Sequence, residues 1–218
     1  MIELLVITPP DACPDADLVA RWIDAGFGRV RGAVLFRAPG STPAELVHRF
    51  GPWGAACRRH GIDVLLSCDL ADAAEAARLV HEEGLRGLQL RGDPDESELR
   101  AVRRRWPALV LGRSCHGAPR AVETCADYTC VAPVFPPRHP SSRGKRPLGT
   151  AGLARWAECV PWVVALGGVA PHTATDCIAA GARGIASICS FLGAPHEVTE
   201  NVRSLVATLE AARHVPRP

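Results

Sequence analysis

The chain contains eight short apolar runs that alternate with longer segments of helical pattern, and this alternation restricts its fold more than any other feature. The runs are rich in Val, Ile and Leu and recur about every twenty-five residues. Continuous apolar runs are typical of parallel strands buried on both faces, and the Ala-, Arg- and Glu-rich segments between them are typical of covering helices. The pattern predicts eight βα units.

The predicted elements fill almost the whole chain. We place strands at residues 3–7, 31–36, 63–67, 87–90, 108–111, 128–132, 162–166 and 184–188. We place helices at residues 15–25, 42–60, 71–83, 96–106, 118–125, 149–159, 171–180 and 195–213. No glycine-rich dinucleotide loop follows the first strand, and eight units in 218 residues leave little room for insertions. We therefore predict an α/β fold, a single (β/α)8 TIM barrel spanning residues 1–218 as one domain.

Composition excludes several functional classes. A formal net charge of +2 is too balanced for a dedicated nucleic-acid-binding protein. Nine scattered cysteines without a C-x-x-C pair argue against a disulfide framework or zinc cluster, and they predict reduced, mostly buried thiols. The first residues lack a basic leader and a cleavage site, and no apolar run has the length of a membrane span. We expect a cytoplasmic protein without nucleic-acid or membrane partners.

Glycine-containing turns follow the seventh and eighth predicted strands. The sequence ALGGV at 165–169 ends one strand, and GIASICS at 184–190 contains the other. Glycine lets backbone N–H groups approach an anion closely, and a helix starting just beyond adds its positive end. Loops after strands 7 and 8 of a barrel commonly bind phosphate. We predict a phosphorylated ligand held by the backbones of Gly167, Gly168, Ile188 and Cys189.

The segment GRSCH at 112–116 follows the fifth predicted strand and carries the best acid–base candidate, His116. An imidazole titrates near neutral pH, so it can accept and donate a proton in one turnover. The alternative is that His116 caps the following helix. Alternation of side chains puts Ser114 on the same face as His116 and turns Cys115 toward the core. A Ser–His pair also needs an orienting acid, which the spacing does not reveal.

Polar side chains stand at or near other strand ends. Arg37 either clamps a carboxylate or phosphate, or forms a surface ion pair. Gln89, within an apolar strand, finds its hydrogen-bond partner either in a ligand or in a neighbouring strand. Asp69, followed by Asp72, is predicted to cap a helix in preference to binding a metal. Asp93 opens an acidic segment that either completes a magnesium site or simply precedes a helix.

Six motifs, in this order and spacing, resemble the thiamine phosphate synthase and TenI superfamily. They are GRSCH at 112–116, ADY at 126–128, APVFP at 132–136, PLGTAGL at 147–153, LGGVAP at 166–171 and AGARGIA at 180–186. The resemblance implies a barrel, usually a homodimer, whose turns after strands 7 and 8 hold the phosphate of a thiazole phosphate. It also implies substrate-binding roles for Arg37, Cys68, Gln89 and Ser114.

The chain departs from the synthase members, which join that thiazole to a pyrimidine pyrophosphate with the help of Mg²⁺. Where the synthases have Gln-x-Arg-x-Lys after strand 2, this chain has LFRAP at 35–39. Where they have Thr-x-Thr-Lys in loop 6, it has PRHP at 137–140. Their Asn-Asp after strand 3 is Cys68–Asp69. We expect no metal or cofactor, and Asp69 and Asp93 would hold Mg²⁺ only in a synthase. We interpret the long loop at 135–148 as a lid. In a synthase, it would compensate for the missing pyrophosphate-binding groups through Arg138, His139, Arg143, Lys145 and Arg146.

TenI members resemble the chain at two further points, a glutamine at the position of Gln89 and an R-S-x-H segment at 113–116. Some of them are tautomerases that aromatise a thiazole carboxylate phosphate by shuttling a proton with the histidine at the position of His116. Our leading hypothesis is a TenI-like thiazole tautomerase of thiamine biosynthesis. The alternatives are a divergent thiamine phosphate synthase and a non-catalytic phosphate-binding or regulatory homologue.

Overall fold

Eight parallel strands close into a barrel in the computed structural model, which describes residues 1–9, 16–119, 123–136 and 144–213. The strands are β1 (Leu4–Ile7), β2 (Gly32–Phe36), β3 (Asp63–Cys68), β4 (Gly87–Leu90), β5 (Val110–Cys115), β6 (Tyr128–Val131), β7 (Val163–Ala165) and β8 (Gly184–Ser187). Each strand pairs with the next along the chain, and β8 pairs with β1. The predicted TIM barrel is therefore confirmed.

Seven α-helices in the described residues connect and cover the strands. They are α1 (Ala16–Asp24), α2 (Pro43–Arg59), α3 (Ala73–Glu82), α4 (Glu96–Arg105), α5 (Gly149–Cys159), α6 (Pro171–Ala179) and α7 (Pro195–Arg213). Thr42 caps the start of α2 and Asp95 caps the start of α4, each in a capping box with the glutamate three residues later. In the described ranges, no helix is both long and apolar enough to cross a bilayer.

Two predicted elements around the fifth strand differ from the structure. β5 extends to Cys115 instead of ending at residue 111, because its second half pairs in register with β6. No helix is present at residues 118–119 and 123–125, and residues 120–122 lie outside the described part. The predicted helix would have been only eight residues long, with Val122 as its one large apolar side chain, so it lacks a face to bury.

The core has two layers, because side chains alternate along each strand between the barrel interior and the space beneath the helices. Leu5, Leu65, Tyr128 and Val164 belong to the interior layer. The larger outer layer packs strands against helices and includes an aromatic cluster with Trp22 at its centre. All eight described cysteines are free thiols and five of them are buried, as predicted, whereas Cys13 lies outside the described residues.

Candidate active site

A cavity of about 570 Å³ opens at the carboxyl ends of the barrel strands. Its floor is apolar and consists of Ile7, Cys130, Leu166 and Ala186. The turns after β7 and β8 form one wall. The opposite wall is polar and basic, and it is lined by Arg37, Arg91, Ser114, His116 and Lys145. In TIM barrels, the active site lies at this end and is formed by the loops that follow the strands.

The turn after β7 contains two successive glycines in the left-handed region, Gly167 with φ of +88° and Gly168 with φ of +68°. Neither amide group donates a hydrogen bond to the backbone of another described residue. A Cβ on Gly168 would lie 2.6 Å from the carbonyl oxygen of Pro136, and one on Gly167 would lie 2.6 Å from Cα of Pro133. Glycine is therefore required for the backbone conformation and for the close approach of the loop after β6, a reason that sequence analysis missed.

Two buried serines connect the turn after β8 to the turn after β7. The Ser187 hydroxyl donates to the carbonyl of Val169 at 3.1 Å, and its Oγ lies 2.9 Å from Oγ of Ser190. Because Ser187 has only one proton to donate, Ser190 donates to Ser187. We call this pair the serine latch. Ile188 and Cys189 lie between its members and line the cavity, and their phosphate-binding role stays a prediction.

Two further residues line this wall and were missed by sequence analysis. His172 belongs to the first turn of α6, and Asn201 comes from α7. The start of α6 at Pro171 brings the positive end of that helix to the cavity. Asn201 lies in a helix of ordinary amphipathic pattern, so no sequence signal separates it from other polar residues of α7.

His116 is held through both nitrogens of its ring. Nδ1 lies 3.0 Å from Oδ2 of Asp93, and Nε2 lies 3.1 Å from Nζ of Lys145. The backbone N–H of His116 also donates to Oδ1 of Asp93 at 2.6 Å. An ammonium group only donates, so Nε2 is the acceptor and Nδ1 carries the proton that it donates to Asp93. Asp93 is therefore the orienting acid that the spacing did not reveal.

The backbone after β4 turns Asp93 toward His116. Gly92 and Asp93 both have positive φ, +82° and +54°, and aspartate is one of the few residues other than glycine that tolerates this region. The acidic residues that follow have other contacts: Asp95 caps α4, and Glu96 forms an ion pair with Arg113. The helix-cap alternative for His116 does not hold in the described part of the chain, where no helix follows β5 directly.

Arg91 and Asp69 form a bidentate ion pair, with Nε and Nη2 of the arginine at 3.1 and 2.8 Å from the two carboxylate oxygens. Asp69 and Asp72 occupy the N-cap positions of the short helix at Leu70–Asp72 and of α3, but neither side chain makes a capping hydrogen bond. Arg37 is half-buried and lines the cavity, and it forms no ion pair with any carboxylate of the described residues. Burial lowers the pKa of Arg37, and the neighbouring charge of Arg91 lowers it further.

The remaining predicted site residues divide between the cavity and the core. Gln89 donates from Nε2 to Oγ of Ser114 at 3.0 Å, so its partner is a neighbouring strand and only Ser114 lines the cavity. Cys68 lies outside the cavity, among the side chains beneath the helices. β3 continues through residue 68, and alternation along it directs Ser67 inward and Cys68 outward. Burial raises the pKa of the Cys68 thiol to about 12.

The structure describes residues 135–136 and 144–148 of the predicted lid at 135–148. The PRHP motif at 137–140, with Arg138 and His139, lies outside the described residues, as does Arg143. Lys145 lines the cavity, whereas Arg146 is exposed and does not. The lid interpretation stays a prediction.

The side chains present do not fit the magnesium site that a synthase would need. Arg91 binds both oxygens of Asp69, and His116 binds both oxygens of Asp93. The part of the chain that the structure describes contains no group of three or more His, Cys, Asp or Glu residues arranged to hold a metal ion.

Comparisons with solved structures match the whole barrel. Thiamine phosphate pyrophosphorylase from Pyrococcus furiosus superimposes with a TM-score of 0.71 over 97% of this chain and 96% of that chain, at 22% identity. A phosphoribosylanthranilate isomerase from the same organism has a TM-score of 0.64 at 8% identity, covering 97% of this chain and all of that one. At these identities the likeness shows the fold alone.

Sequence comparisons are more specific. The thiamine-phosphate synthase of Bordetella avium is 31% identical over 187 residues, which are 82% of each protein. The bifunctional thiamine biosynthesis protein ThiM/ThiE of Symbiobacterium thermophilum is 37% identical over 144 residues, 64% of this chain but only 28% of that longer protein. A family model described as thiamine monophosphate synthase (TMP-TENI) matches residues 4–191. The chain therefore belongs to the thiamine monophosphate synthase family of thiamine-biosynthesis enzymes.

Proposed function

We propose that this chain is a thiazole tautomerase, an isomerase of thiamine biosynthesis that moves a proton on a phosphorylated thiazole. One observation carries the proposal: the His116 ring stands at the cavity wall with Nδ1 on Asp93 and Nε2 beside Lys145. Such an arrangement makes Nε2 a base of defined tautomer, which is what a proton shuttle requires.

The proposed reaction breaks one bond to hydrogen on the ligand and forms another, so only a proton changes position. Nε2 of His116 accepts the proton when the ligand takes the place of Lys145 in front of it. The Asp93 carboxylate stabilises the imidazolium formed, and Nε2 then returns the proton to a second position of the ring. The Lys145 ammonium, on the same wall, stabilises negative charge that develops on the ligand in between.

The phosphate of the ligand fits the wall across the cavity. The amide groups of Gly167 and Gly168 and the start of α6 present hydrogen-bond donors and positive charge there. The apolar floor between the two walls suits a planar ring. Holding the phosphate fixes the ring relative to His116, and this positioning contributes to the rate together with the base.

The second candidate is a thiamine phosphate synthase, and the names of the relatives favour it. Both the Bordetella avium protein and the Pyrococcus furiosus protein that matches most of this chain in sequence, at 26% identity over 211 residues, are thiamine-phosphate synthases. Arg37, Arg91 and Lys145 are cations that a pyrophosphate would need. The engagement of Asp69 and Asp93 by Arg91 and His116 favours the tautomerase.

One pair of assays separates the candidates. The purified protein is mixed with the unaromatised thiazole carboxylate phosphate, and isomerisation is followed by ultraviolet absorbance. It is also mixed with thiazole phosphate, pyrimidine pyrophosphate and Mg²⁺, and coupling is followed by detection of thiamine phosphate. We expect isomerisation above the background rate and no coupling. Coupling without isomerisation would establish the synthase, and the absence of both would leave a non-catalytic homologue that binds phosphate.

A further inference from the structure

We propose that Arg113 and Trp156 are positioning residues for the pair formed by His116 and Asp93. Both side chains are buried behind the cavity wall, and neither lines the cavity. They hold the loop after β4 and the loop after β5 in one arrangement, and this arrangement keeps the imidazole proton on Nδ1, hydrogen-bonded to Asp93. The inference rests on the proposed function only in taking His116 as the base.

Arg113 lies on the outer face of β5, because side chains alternate along the strand and Ser114 faces the cavity. Its guanidinium donates from Nη1 to Oε1 of Glu96 at 2.7 Å and from Nε to Oγ1 of Thr129 at 3.1 Å. Glu96 belongs to α4 and Thr129 belongs to β6. A buried cation needs such partners, and here they fix the plane of the guanidinium group.

Glu96 connects Arg113 to the turn that carries Asp93. It is the first residue of α4 and comes three residues after Asp93. The backbone of Asp93 has a φ of +54°, a conformation that persists in a residue other than glycine only where the surrounding structure holds it. The ion pair with Arg113 holds the start of α4, so it supports this turn from the side of the helix.

Trp156 connects Arg113 to the loop that carries His116. The Arg113 guanidinium lies over the indole, with Cζ 6.0 Å from the ring centroid. Nε1 of the same indole donates to the carbonyl of Gly117 at 2.8 Å. Gly117 directly follows His116 and has a φ of +75°, and glycine by itself does not fix the backbone. The hydrogen bond from Trp156 therefore fixes the chain immediately after the imidazole.

Both connections meet at Arg113, so one buried side chain relates the positions of His116 and Asp93. The distance from Nδ1 of His116 to Oδ2 of Asp93 is 3.0 Å, and this hydrogen bond breaks if either loop moves. The hydrogen bond of one ring nitrogen decides which nitrogen carries the proton. Without the Asp93 acceptor the proton can move to Nε2, and Nε2 then has no lone pair with which to accept a proton from the ligand.

Nuclear magnetic resonance tests the proposal without ligand or turnover. In protein with ¹⁵N-labelled histidines, correlations between the ring nitrogens and the carbon-bound ring protons show which nitrogen is protonated. At about pH 8.5, an ordinary imidazole is neutral and carries one such proton. The chain has eight histidines, and the His116 signals are those missing from the spectrum of His116→Gln. We expect the wild type to carry the proton on Nδ1.

Trp156→Phe is the sharpest variant, because it keeps an aromatic ring beneath Arg113 and removes only the indole donor to the loop after β5. We expect its two His116 nitrogen signals to move toward each other, as a mixture of tautomers requires. Trp162→Phe is the matched control, because the Trp162 indole also lies beneath arginine and donates to a backbone carbonyl, that of Ile2 at 2.7 Å, but at the opposite end of the barrel. This control should have the wild-type spectrum.

Arg113→Met combined with Glu96→Gln tests the other connection. The double variant removes both charges together, so no buried charge is left unpaired, and thermal unfolding checks that it is folded. We expect the same mixture of tautomers. A wild-type spectrum in both this variant and Trp156→Phe, or an equal shift in Trp162→Phe, would overturn the proposal.

Steady-state kinetics give a second readout. Trp156→Phe should lower kcat for isomerisation by roughly tenfold, while KM and the calorimetric affinity for inorganic phosphate change little, because the indole lies behind the wall opposite the phosphate turns. A wild type that does not isomerise the ligand would contradict the proposed function, and the spectra would still decide the role of Arg113 and Trp156. The two failures are therefore distinguishable.

Discussion

At the scale of single residues, the chemistry of the site depends on contacts between loops that are far apart in the chain. His116 could be found from the sequence, because an imidazole after a barrel strand is an obvious base. The role of Asp93 as the partner of His116 could not, since their contact depends on the register of β4 against β5 and on a backbone conformation that a turn imposes. Cys68 was misplaced for a similar reason: a strand one residue longer than predicted turns it out of the cavity.

Asp93→Asn tests the orienting role. Asparagine also tolerates the positive φ of this position and keeps an oxygen that can accept from the backbone of His116, so the turn should survive. It loses the charge that stabilises the imidazolium. We expect kcat for isomerisation to fall by roughly 10²-fold, with KM little changed. Steady-state kinetics measure both, and an unchanged kcat would show that Asp93 has a structural role only.

Gly168→Ala tests the requirement for glycine in the turn after β7. The added Cβ meets the Pro136 carbonyl at 2.6 Å in a backbone of positive φ, so we expect unfolding to become easier by about 1–3 kcal/mol. Phosphate binding should weaken as well. Gly28→Ala in the short helix at Phe27–Arg29 is the matched control, because Gly28 does not have a positive φ and nothing outside its chain neighbours lies within 4 Å of its Cβ position. Chemical denaturation distinguishes them, and equal behaviour of the two variants would contradict this account.

At the scale of elements, the alternation of apolar runs and helical segments identified every strand, because parallel strands buried on both faces leave a strong signal. The pattern misleads where a predicted helix has no apolar face, as at residues 118–119 and 123–125, which are not helical. It also misleads where a strand contains polar residues, as in the second half of β5. The serine latch could not be predicted from the sequence either, since small polar residues at the end of a strand do not indicate which carbonyl they contact.

Ser187→Ala tests whether the serine latch holds the turns after β7 and β8 together. The change leaves the Val169 carbonyl without its buried donor and Ser190 without its acceptor. We expect the affinity for inorganic phosphate to fall by roughly tenfold, a change of about 1.4 kcal/mol, while kcat changes less. Ser204→Ala on α7 is the control. If Ser187→Ala binds phosphate as tightly as the wild type, the turns do not depend on the latch.

At the scale of the whole molecule, an ion pair between Glu3 and Arg213 joins the two ends of the described chain. Glu3, at the start of the barrel, accepts hydrogen bonds from Arg213 of α7 at 3.0 Å and from the backbone of Arg31 at 2.8 Å. Burial alone would raise the pKa of Glu3, but these bonds and the charge of Arg213 outweigh it and lower the pKa from 4.5 to about 2. The predicted homodimer, by contrast, stays a prediction that sedimentation would check.

The pKa of Glu3 predicts how the free energy of unfolding changes at acid pH. A carboxyl group with a lowered pKa stabilises the fold above its unfolded value, so the contribution of Glu3 is complete above about pH 4.5 and is lost as pH falls toward 2. We expect the loss to amount to about 3 kcal/mol. Glu3→Gln should be less stable at neutral pH and should lose less stability than the wild type between pH 5 and pH 2. Parallel curves for the two proteins in urea denaturation would show that Glu3 makes no such contribution.

The central claim is that His116 moves a proton on a bound phosphorylated thiazole. The most direct measurement is the isomerisation rate of the unaromatised thiazole phosphate with the wild type and with His116→Gln, at saturating ligand and with phosphate affinity measured on both proteins. The account predicts that the variant binds phosphate normally and isomerises the ligand roughly 10²- to 10⁴-fold more slowly. A wild type that does not exceed the background rate, or a variant that retains the wild-type rate, would contradict it.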